Sequence, residues 1–361
     1  MKIRKFLKNF VPYSWEPSTD DIANSIGKNP NEITRFDTNV SHKTPIEWLE
    51  ELSKEFNHLE INRYPDSSYI SVRKLLADYC SCNVDNLILT NGADEGLFMI
   101  GSMFIEPSSD VILSTPTYSY YEKMIQIMGG NVKEITRNSD FSDDFTKISD
   151  SINDNTSLII LCSPNNPTGN LVDKNSLEKL LSSSDVPVVV DEAYFEFTNE
   201  TVADLVNLYD NLIVVRTFSK AFGLAGLRVG YLLSSISTTS LLNKVRPPNS
   251  VGELSVNLSR IALNNIDWIA NNVKEILSEK ILFIEQVSKI KNVDIIPSTS
   301  NFMLLKFTNT GGADIYEKLL RKGIVVRDVS GTPGLENYIR INIGLHDENN
   351  KLIQAIEEVS V

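Results

Sequence analysis

The sequence predicts an α/β fold with a large domain, built on a mostly parallel seven-stranded sheet sandwiched by helices, and a smaller α+β C-terminal domain. Seven short apolar runs lie between residues 87 and 233, and several lack polar alternation, which is typical of strands buried on both faces. Amphipathic patterns separate several of these runs, and such alternation indicates a parallel sheet. After about residue 246 the pattern changes, which indicates a second unit.

The first unit consists of apolar runs rich in Val, Ile and Leu, with helical patterns between them. Two of those helical patterns, at residues 94–105 and 117–128, follow the first two runs. The predicted strands are residues 87–90, 111–114, 132–135, 158–161, 186–190, 212–215 and 229–233.

The second unit begins where Pro247 and Pro248 interrupt the chain. A long helical pattern follows at residues 252–290, with apolar positions three and four apart. The remaining predicted elements are a strand at 301–307, a helix at 313–322, strands at 324–327 and 338–343, and a helix at 347–359.

Three parts of the chain are predicted from this pattern. Residues 41–246 form the large domain and residues 247–361 form the small one. Residues 1–40 look irregular, and we expect them to form an arm that packs on the small domain or on a partner subunit.

Composition limits the possible partners. The net charge of −13 disfavours nucleic acid, because phosphates would be repelled by most of the surface. No apolar run is long enough to span a bilayer or to act as a secretory signal, so no membrane association is expected. Three cysteines and three scattered histidines favour a cytoplasmic protein with no metal site.

Small residues that suit a phosphate lie after two predicted strands. Gly92, Ala93 and Asp94 follow the first strand, where a helix N-terminus attracts anions. Taken alone, that motif is better explained by a capped strand-to-helix turn. Thr217 and Ser219 follow the sixth strand, and Arg228 lies among glycines that permit close backbone approach.

Four further residues suit a flat aromatic ligand. Tyr118 could stack on a ring, although a core aromatic explains it as well. Asn166 lies in Ser-Pro-Asn-Asn-Pro-Thr-Gly and can donate a hydrogen bond to a phenolate oxygen. Asp191, before Tyr194 in Asp-Glu-Ala-Tyr, ends an apolar strand and needs a cation such as a protonated pyridine nitrogen, unless it caps the next segment. Lys220, beside the phosphate-type hydroxyls, suits an amine that forms an imine.

Together these motifs resemble the fold type I aminotransferases that use pyridoxal 5′-phosphate, and among them the histidinol-phosphate aminotransferase group. The resemblance extends from about Tyr13 to the C-terminal end. The motifs that carry it are Asn-Gly-Ala-Asp-Glu, Ser-Pro-Asn-Asn-Pro-Thr-Gly, Asp-Glu-Ala-Tyr and Ser-Lys-Ala-Phe-Gly-Leu-Ala-Gly-Leu-Arg, in this order.

The resemblance implies a role for each residue at the cofactor. Lys220 holds the cofactor covalently and later moves a proton, Asp191 pairs with the pyridine N–H, and Tyr118 stacks on the ring. Asn166 and Tyr194 bind the 3′-oxygen. Tyr64 matches a tyrosine that a neighbouring subunit contributes, so a homodimer is implied. The residues implied around the phosphate are Gly92, Ala93, Asp94, Thr217, Ser219 and Arg228.

At the substrate end, the resemblance implies that Arg340 binds a substrate carboxylate and that Arg327 helps to bind the phosphate of histidinol phosphate. Tyr13 and Asn39 are also placed on the substrate side. An edge-strand salt bridge is the alternative for each arginine. The chain departs from the family pattern on this side, with Asp-Thr-Asn-Val-Ser at 37–41, Asn249 after the proline pair, and Asn-Ile-Gly-Leu at 342–345.

The implied reaction is transamination between histidinol phosphate and 2-oxoglutarate, a step of histidine biosynthesis. An aromatic or broad-specificity aminotransferase and a decarboxylase of phosphorylated amino acids remain alternatives on the same scaffold. A binding protein without activity is disfavoured, because every cofactor position has a competent residue. A nicotinamide dehydrogenase is excluded, because the glycine fingerprint is absent after the first strand.

Overall fold

Two sheets dominate the computed structural model, which describes residues 1–8, 10–43 and 45–360. The strands are β1 (Thr34–Arg35), β2 (Leu87–Thr90), β3 (Asp110–Thr115), β4 (Asn131–Thr136), β5 (Thr156–Cys162), β6 (Val188–Asp191), β7 (Leu212–Thr217), β8 (Gly230–Ser234), β9 (Val293–Ile295), β10 (Phe302–Phe307), β11 (Ile324–Val325), β12 (Arg327–Asp328) and β13 (Tyr338–Asn342).

Helices flank both sheets. They are α1 (Thr19–Ile26), α2 (Ile46–Glu55), α3 (Ile70–Cys80), α4 (Gly92–Phe104), α5 (Tyr120–Met128), α6 (Phe145–Asp150), α7 (Lys174–Ser183), α8 (Ile236–Leu242), α9 (Glu253–Asn264), α10 (Ile266–Val287), α11 (Gly312–Arg321) and α12 (His346–Val359). Within the described residues, no helix is both long and apolar enough to cross a membrane.

The seven predicted strands form one sheet, in the order β2-β8-β7-β6-β5-β3-β4. All neighbours from β7 to β4 are parallel, whereas β8 runs antiparallel to both β2 and β7. Successive residues bury opposite faces: Ile160 and Val189 pack on one side, and Leu161 and Val190 on the other. The predicted α/β class with a mostly parallel sheet is therefore confirmed.

The second sheet has the antiparallel order β12-β13-β10-β9 and its own hydrophobic cluster, which includes Met303, Ile339 and Ile356. Helix α10 joins the two cores, because Ile269 packs in the large one and Phe283 in the small one. The proposed domain boundary near residue 246 stays a prediction.

Three local predictions were wrong. The helical pattern at 252–290 is two helices, which separate at Asn265. The strand predicted at 324–327 is split, because β11 pairs with β1 while β12 pairs with β13. The first forty residues are not simply irregular: they contain α1, whose N-cap is Ser18, and β1, which lies parallel to β11.

Gly230 begins β8 at a point where three backbones converge. An added Cβ would lie 2.6 Å from both the Ala93 nitrogen and the Gly92 carbonyl carbon, and 2.9 Å from the Arg216 oxygen. These are backbone atoms, so they cannot give way as a flexible side chain can. Because Gly230 has no side chain, the backbone at the start of α4 can lie directly against the start of β8.

We expect Gly230→Ala to lower the free energy of unfolding by about 1–3 kcal/mol, the usual cost of overpacking. Urea denaturation measures the change. Gly226→Ala is the matched control, because nothing lies within 4 Å of its added Cβ. Equal stability of the two variants would contradict the tight crossing.

Candidate active site

A cavity of about 390 Å³ lies at the carboxyl ends of β3, β5, β6 and β7. Ligands of open α/β sheets bind at this edge, and the volume suits a small cofactor with its substrate. The cavity is lined by most of the predicted site residues, namely Tyr13, Asn39, Ala93, Asp94, Tyr118, Asn166, Asp191, Tyr194, Thr217, Ser219, Lys220, Arg228, Arg327 and Arg340.

One end of the cavity is built for an anion. Arg228 donates from Nη2 to Asp94 Oδ2 at 2.9 Å and from Nη1 to Ser219 Oγ at 3.4 Å. Thr217 Oγ1 donates to Ser219 Oγ at 3.0 Å. The N-terminus of α4 lies beside this group, and its free N–H groups favour negative charge. The hydroxyls, the guanidinium and the helix end together fit a phosphate.

Gly92 supports this end from behind rather than lining the cavity. Its φ is +80°, and an added Cβ would lie 2.8 Å from Arg228 Nη2. Arg228 itself has a φ of 54°, a left-handed conformation that is costly for a residue with a side chain. The surrounding structure therefore keeps Arg228 in this left-handed backbone conformation, although the conformation costs energy.

Asp191 is a buried acid at the centre of the cavity. Tyr121 donates to its Oδ2 at 2.7 Å, and the Ala193 backbone N–H donates to its Oδ1 at 3.0 Å. Within the described residues, no Lys, Arg or His lies within ion-pair distance of Asp191. Burial raises the pKa of Asp191 to about 6. A cationic ring nitrogen would remove the cost of ionising this acid.

Lys220 shares the cavity and is partly buried. Its Nζ donates to the Thr38 carbonyl oxygen at 3.0 Å and lies 5.4 Å from the centre of the Tyr194 ring. Burial, followed by the charge of Arg340, lowers the pKa of Lys220 to about 8. A substantial fraction of the amine is therefore neutral near pH 8, and the neutral amine is the nucleophile that an aldehyde requires.

Arg340 lies in β13 and is 7% exposed. Its Nη1 donates to Asn166 Oδ1 at 2.7 Å, and its Nη2 donates to the Asp37 carbonyl oxygen. Its Nε is buried and has no hydrogen-bond partner within the described part of the chain. Arg340 lines the cavity and therefore retains donor capacity that the described residues leave unused.

A buried hydrogen-bond chain supports Tyr194 from the small sheet. Asn39 Nδ2 donates to the Tyr194 hydroxyl at 3.1 Å, and the Asn39 backbone N–H donates to Asn342 Oδ1 at 3.1 Å. Asn342 Nδ2 lies 2.9 Å from His42 Nε2, and His42 Nδ1 lies 2.7 Å from Glu348 Oε2. Asn39 therefore positions Tyr194 through this chain, besides lining the cavity.

The mouth of the cavity is formed by the N-terminal arm. Glu16 Oε1 accepts from Arg327 Nη1 at 2.9 Å, and the Tyr13 hydroxyl lies 3.4 Å from the same oxygen. The ring of Tyr13 packs edge-on against Tyr118 and Tyr120, each at a centroid distance of 6.1 Å. The arm thus covers the side of the cavity where Arg327 lies.

Tyr64 is the one predicted cofactor residue that the structure places apart from the cavity and its supporting wall. It does not line the cavity, and its side chain is 86% exposed. The predicted role of Tyr64 concerns a second subunit, so it stays a prediction.

Three residues that contact or support the cavity were not predicted from the sequence. Tyr121 lies three residues after Tyr118, so helical spacing could have indicated that both face the same site. Asn165 lies in the same motif as Asn166, but no role was predicted for it. It is fully buried and holds the loop, since its amide donates to the Pro116 carbonyl oxygen, whereas Asn166 lines the cavity. No sequence motif around Glu16 indicated that it lines the cavity.

A lysine and a buried acid without an ion-pair partner among the described residues line one cavity at the edge of this sheet. This arrangement is typical of fold type I enzymes that use pyridoxal 5′-phosphate. The fold and the cavity define that class for this chain. It belongs to the aminotransferase class I and II family, whose model matches residues 32–356. The predicted aminotransferase class and its cofactor are thereby confirmed.

Individual relatives are similar over most of the chain. A histidinol-phosphate aminotransferase from Christiangramia forsetii is 39% identical over 302 residues, which cover 83% of this chain and 86% of the relative. The crystal structure of a histidinol-phosphate aminotransferase from Sinorhizobium meliloti in complex with pyridoxal-5′-phosphate has a TM-score of 0.89 at 22% identity, covering 99% and 97% of the two chains. L-threonine-O-3-phosphate decarboxylase from Porphyromonas gingivalis has a TM-score of 0.79 at 25% identity, covering 90% and 99%.

Proposed function

We propose that this protein transfers the amino group of histidinol phosphate to 2-oxoglutarate, giving imidazole-acetol phosphate and glutamate. The observation that carries the proposal is a pair of arginines. Arg327 and Arg340 are direct partners in the antiparallel register of β12 and β13, and both line the cavity. Side chains directly opposite each other project from the same face of a sheet. Two cations therefore serve one cavity beyond the anion site at Arg228.

In this proposal, Arg228, Arg327 and Arg340 each bind a different anionic group. Arg228, Ser219 and Thr217 bind the cofactor phosphate. Arg327 binds the phosphate of histidinol phosphate, and Arg340, whose Nε has no hydrogen-bond partner among the described residues, binds a carboxylate of the amino-acid partner. The names of the similar aminotransferases support this choice of substrate.

The cofactor, once bound, supplies an aldehyde for the amino group and a ring that accepts electrons from the substrate carbon. Lys220 binds the cofactor and then moves a proton at its Nζ. Asp191 holds the ring nitrogen in its protonated form. Asn166 and Tyr194 orient the ring through its phenolic oxygen, and Tyr118 packs on the ring face.

Decarboxylation of a phosphorylated amino acid is a second candidate. The similarity to the Porphyromonas gingivalis decarboxylase favours it, because that enzyme is named for a phosphorylated amino acid, which carries an amino group and a phosphate as histidinol phosphate does. The same two arginines would bind the carboxylate and the phosphate of such a substrate. Dependence on a keto acid separates the two reactions.

The test is to incubate the holoenzyme with histidinol phosphate and 2-oxoglutarate and to measure glutamate. We expect turnover, and we expect Arg327→Ala to raise KM for histidinol phosphate about 10- to 100-fold, the usual cost of losing a charged hydrogen bond. Arg321→Ala, an exposed arginine in the last turn of α11, is the control and should leave KM unchanged. Absence of glutamate, or release of CO₂ from O-phosphothreonine without a keto acid, would refute the transamination.

We also propose a homodimer in the cytoplasm. Tyr64 would reach the cofactor phosphate of the neighbouring subunit, and its high exposure in the single chain supports that arrangement. Cys80, Cys82 and Cys162 are free thiols, which is consistent with a reducing compartment.

A further inference from the structure

An acidic side chain of the N-terminal arm, Glu16, forms an ion pair with Arg327 at the mouth of the cavity. Glu16 Oε1 lies 2.9 Å from Arg327 Nη1, and both side chains are partly exposed, at 30% and 26%. Glu16 and Trp15 line the cavity together with Arg327. The contact joins residues that are 311 positions apart in the sequence, so it is a specific docking of the arm.

The arm is anchored on both sides of this contact. On one side, Arg35 Nη1 donates to the Pro17 carbonyl oxygen at 2.9 Å, while its Nε and Nη2 hold Asp37. On the other side, the Tyr13 ring packs against Tyr118. Glu16 lies between these two anchoring contacts. The anchored backbone of the arm therefore holds the Glu16 carboxylate next to Arg327.

We infer that Glu16 is a specificity-determining residue, an internal competitor that occupies the anion subsite at Arg327 until a substrate phosphate displaces it. The inference rests on the proposed function. A phosphate monoester carries a charge of about −1.5 to −2 near neutral pH and offers three acceptor oxygens, so it competes well against a single carboxylate. A donor without an anionic distal group gains nothing from Arg327 and does not need to displace Glu16.

Two physical features make the exchange feasible. Ion pairs with this degree of exposure contribute little to stability, so the pair opens readily. When Glu16 stays near the bound phosphate, the two like charges repel each other, which weakens binding of anionic substrates alone. Glu16 therefore lowers the affinity for donors with an anionic distal group and leaves unaffected the affinity for donors whose distal group is uncharged.

The kinetic test compares histidinol phosphate with unphosphorylated histidinol as donors for the holoenzyme. We expect Glu16→Gln to lower KM for histidinol phosphate about threefold, and less so at high salt, with no change in KM for histidinol. Asp20→Asn is the matched control, because it removes one negative charge from the same arm in the exposed first turn of α1. An unchanged or higher KM for histidinol phosphate in Glu16→Gln, or an equal fall for both donors, would overturn the inference.

A binding test is independent of turnover. Of the three tryptophans, Trp15 alone lines the cavity and is 76% exposed beside Glu16, whereas Trp48 is buried and packs against Trp268. A change in emission that depends on Trp15 therefore reports on the arm. In the holoenzyme, whose cofactor already fills the site at Arg228, we expect inorganic phosphate to change the tryptophan emission, and Trp15→Phe to abolish the change. Glu16→Gln should tighten phosphate binding about threefold, and Arg327→Ala should abolish it.

The two tests separate failure of the inference from failure of the proposed function. If histidinol phosphate is not a substrate but Glu16→Gln still tightens phosphate binding, the proposed reaction fails and the subsite stands. If the affinity for phosphate is the same in Glu16→Gln and the parent protein, Glu16 does not compete for Arg327 and the inference is wrong.

Discussion

Replacing Lys220 by alanine should reduce kcat on the order of 10⁴-fold, because one amine both binds the cofactor and moves the proton. Lys220 is partly buried, its Nζ contacts the Thr38 carbonyl oxygen, and it lines the cavity together with Asp191 and Arg228. The variant should also lose the covalent link to the cofactor. Borohydride reduction followed by peptide mass spectrometry measures that link directly.

Lys280 provides a demanding control for this experiment. It is also buried, burial lowers its pKa to about 8, and its Nζ donates to the Ser300 carbonyl oxygen at 2.7 Å. It does not line the cavity. Lys280→Met should therefore retain the reducible cofactor link at Lys220, although it lowers stability. A link that persists in Lys220→Ala would show that another amine binds the cofactor.

Replacing Asp191 by asparagine should reduce kcat about 10²- to 10³-fold, the usual cost of removing one preorganised electrostatic partner. It should also change how stability depends on pH. In the protein without cofactor, burial raises the pKa of Asp191 to about 6, so the folded state favours the neutral acid. This contribution is present below about pH 4 and is lost as pH rises through about 6, and the loss is on the order of 3 kcal/mol.

A cationic ring nitrogen reverses that dependence, because the ionised carboxylate then has a partner. We therefore expect the increase in Tm on cofactor binding to be larger at pH 8 than at pH 5. Asp191→Asn should reduce the difference between the two pH values, and the difference that remains comes from Lys220, whose amine is more often neutral at pH 8 than at pH 5. Calorimetry of the protein with and without pyridoxal 5′-phosphate measures both quantities.

Glu196 is the matched control for the pH dependence. Burial raises its pKa to about 8, and within the described residues neither of its carboxylate oxygens has a hydrogen-bond partner. It lies outside the cavity. Glu196→Gln should alter the stability of the protein at high pH and leave the cofactor's pH-dependent stabilisation intact. If Asp191→Asn behaves like Glu196→Gln, Asp191 does not pair with the cofactor.

The sequence predicted the large sheet well because each strand is a local signal. Runs such as residues 87–90 and 212–215 are almost entirely apolar, since both faces are buried, and their ends matched the structure within one or two residues. The cofactor groups were predictable for the same reason. Asp191 and Thr217 end apolar strands, so their chemistry was visible against an apolar background.

What could not be predicted depends on pairs that are distant in the sequence. The contacts of Asn39 with Asn342 and of Arg340 with the Asp37 carbonyl oxygen each join residues 303 positions apart. Neither member of a pair has a local pattern that indicates the other. The same holds for Glu16 and Arg327, and it explains why the arm looked irregular until its partners were in place.

The pairing of β1 with β11 has a consequence for how the protein is made. During translation, the first strand leaves the ribosome long before residues 324–325 exist. The nascent chain must therefore keep this edge unpaired while the large sheet forms, because domains generally fold as they emerge. The side of the cavity that Arg327 and Arg340 line is completed last, so a ribosome-stalled fragment ending after β8 would contain Lys220 but lack both of these arginines.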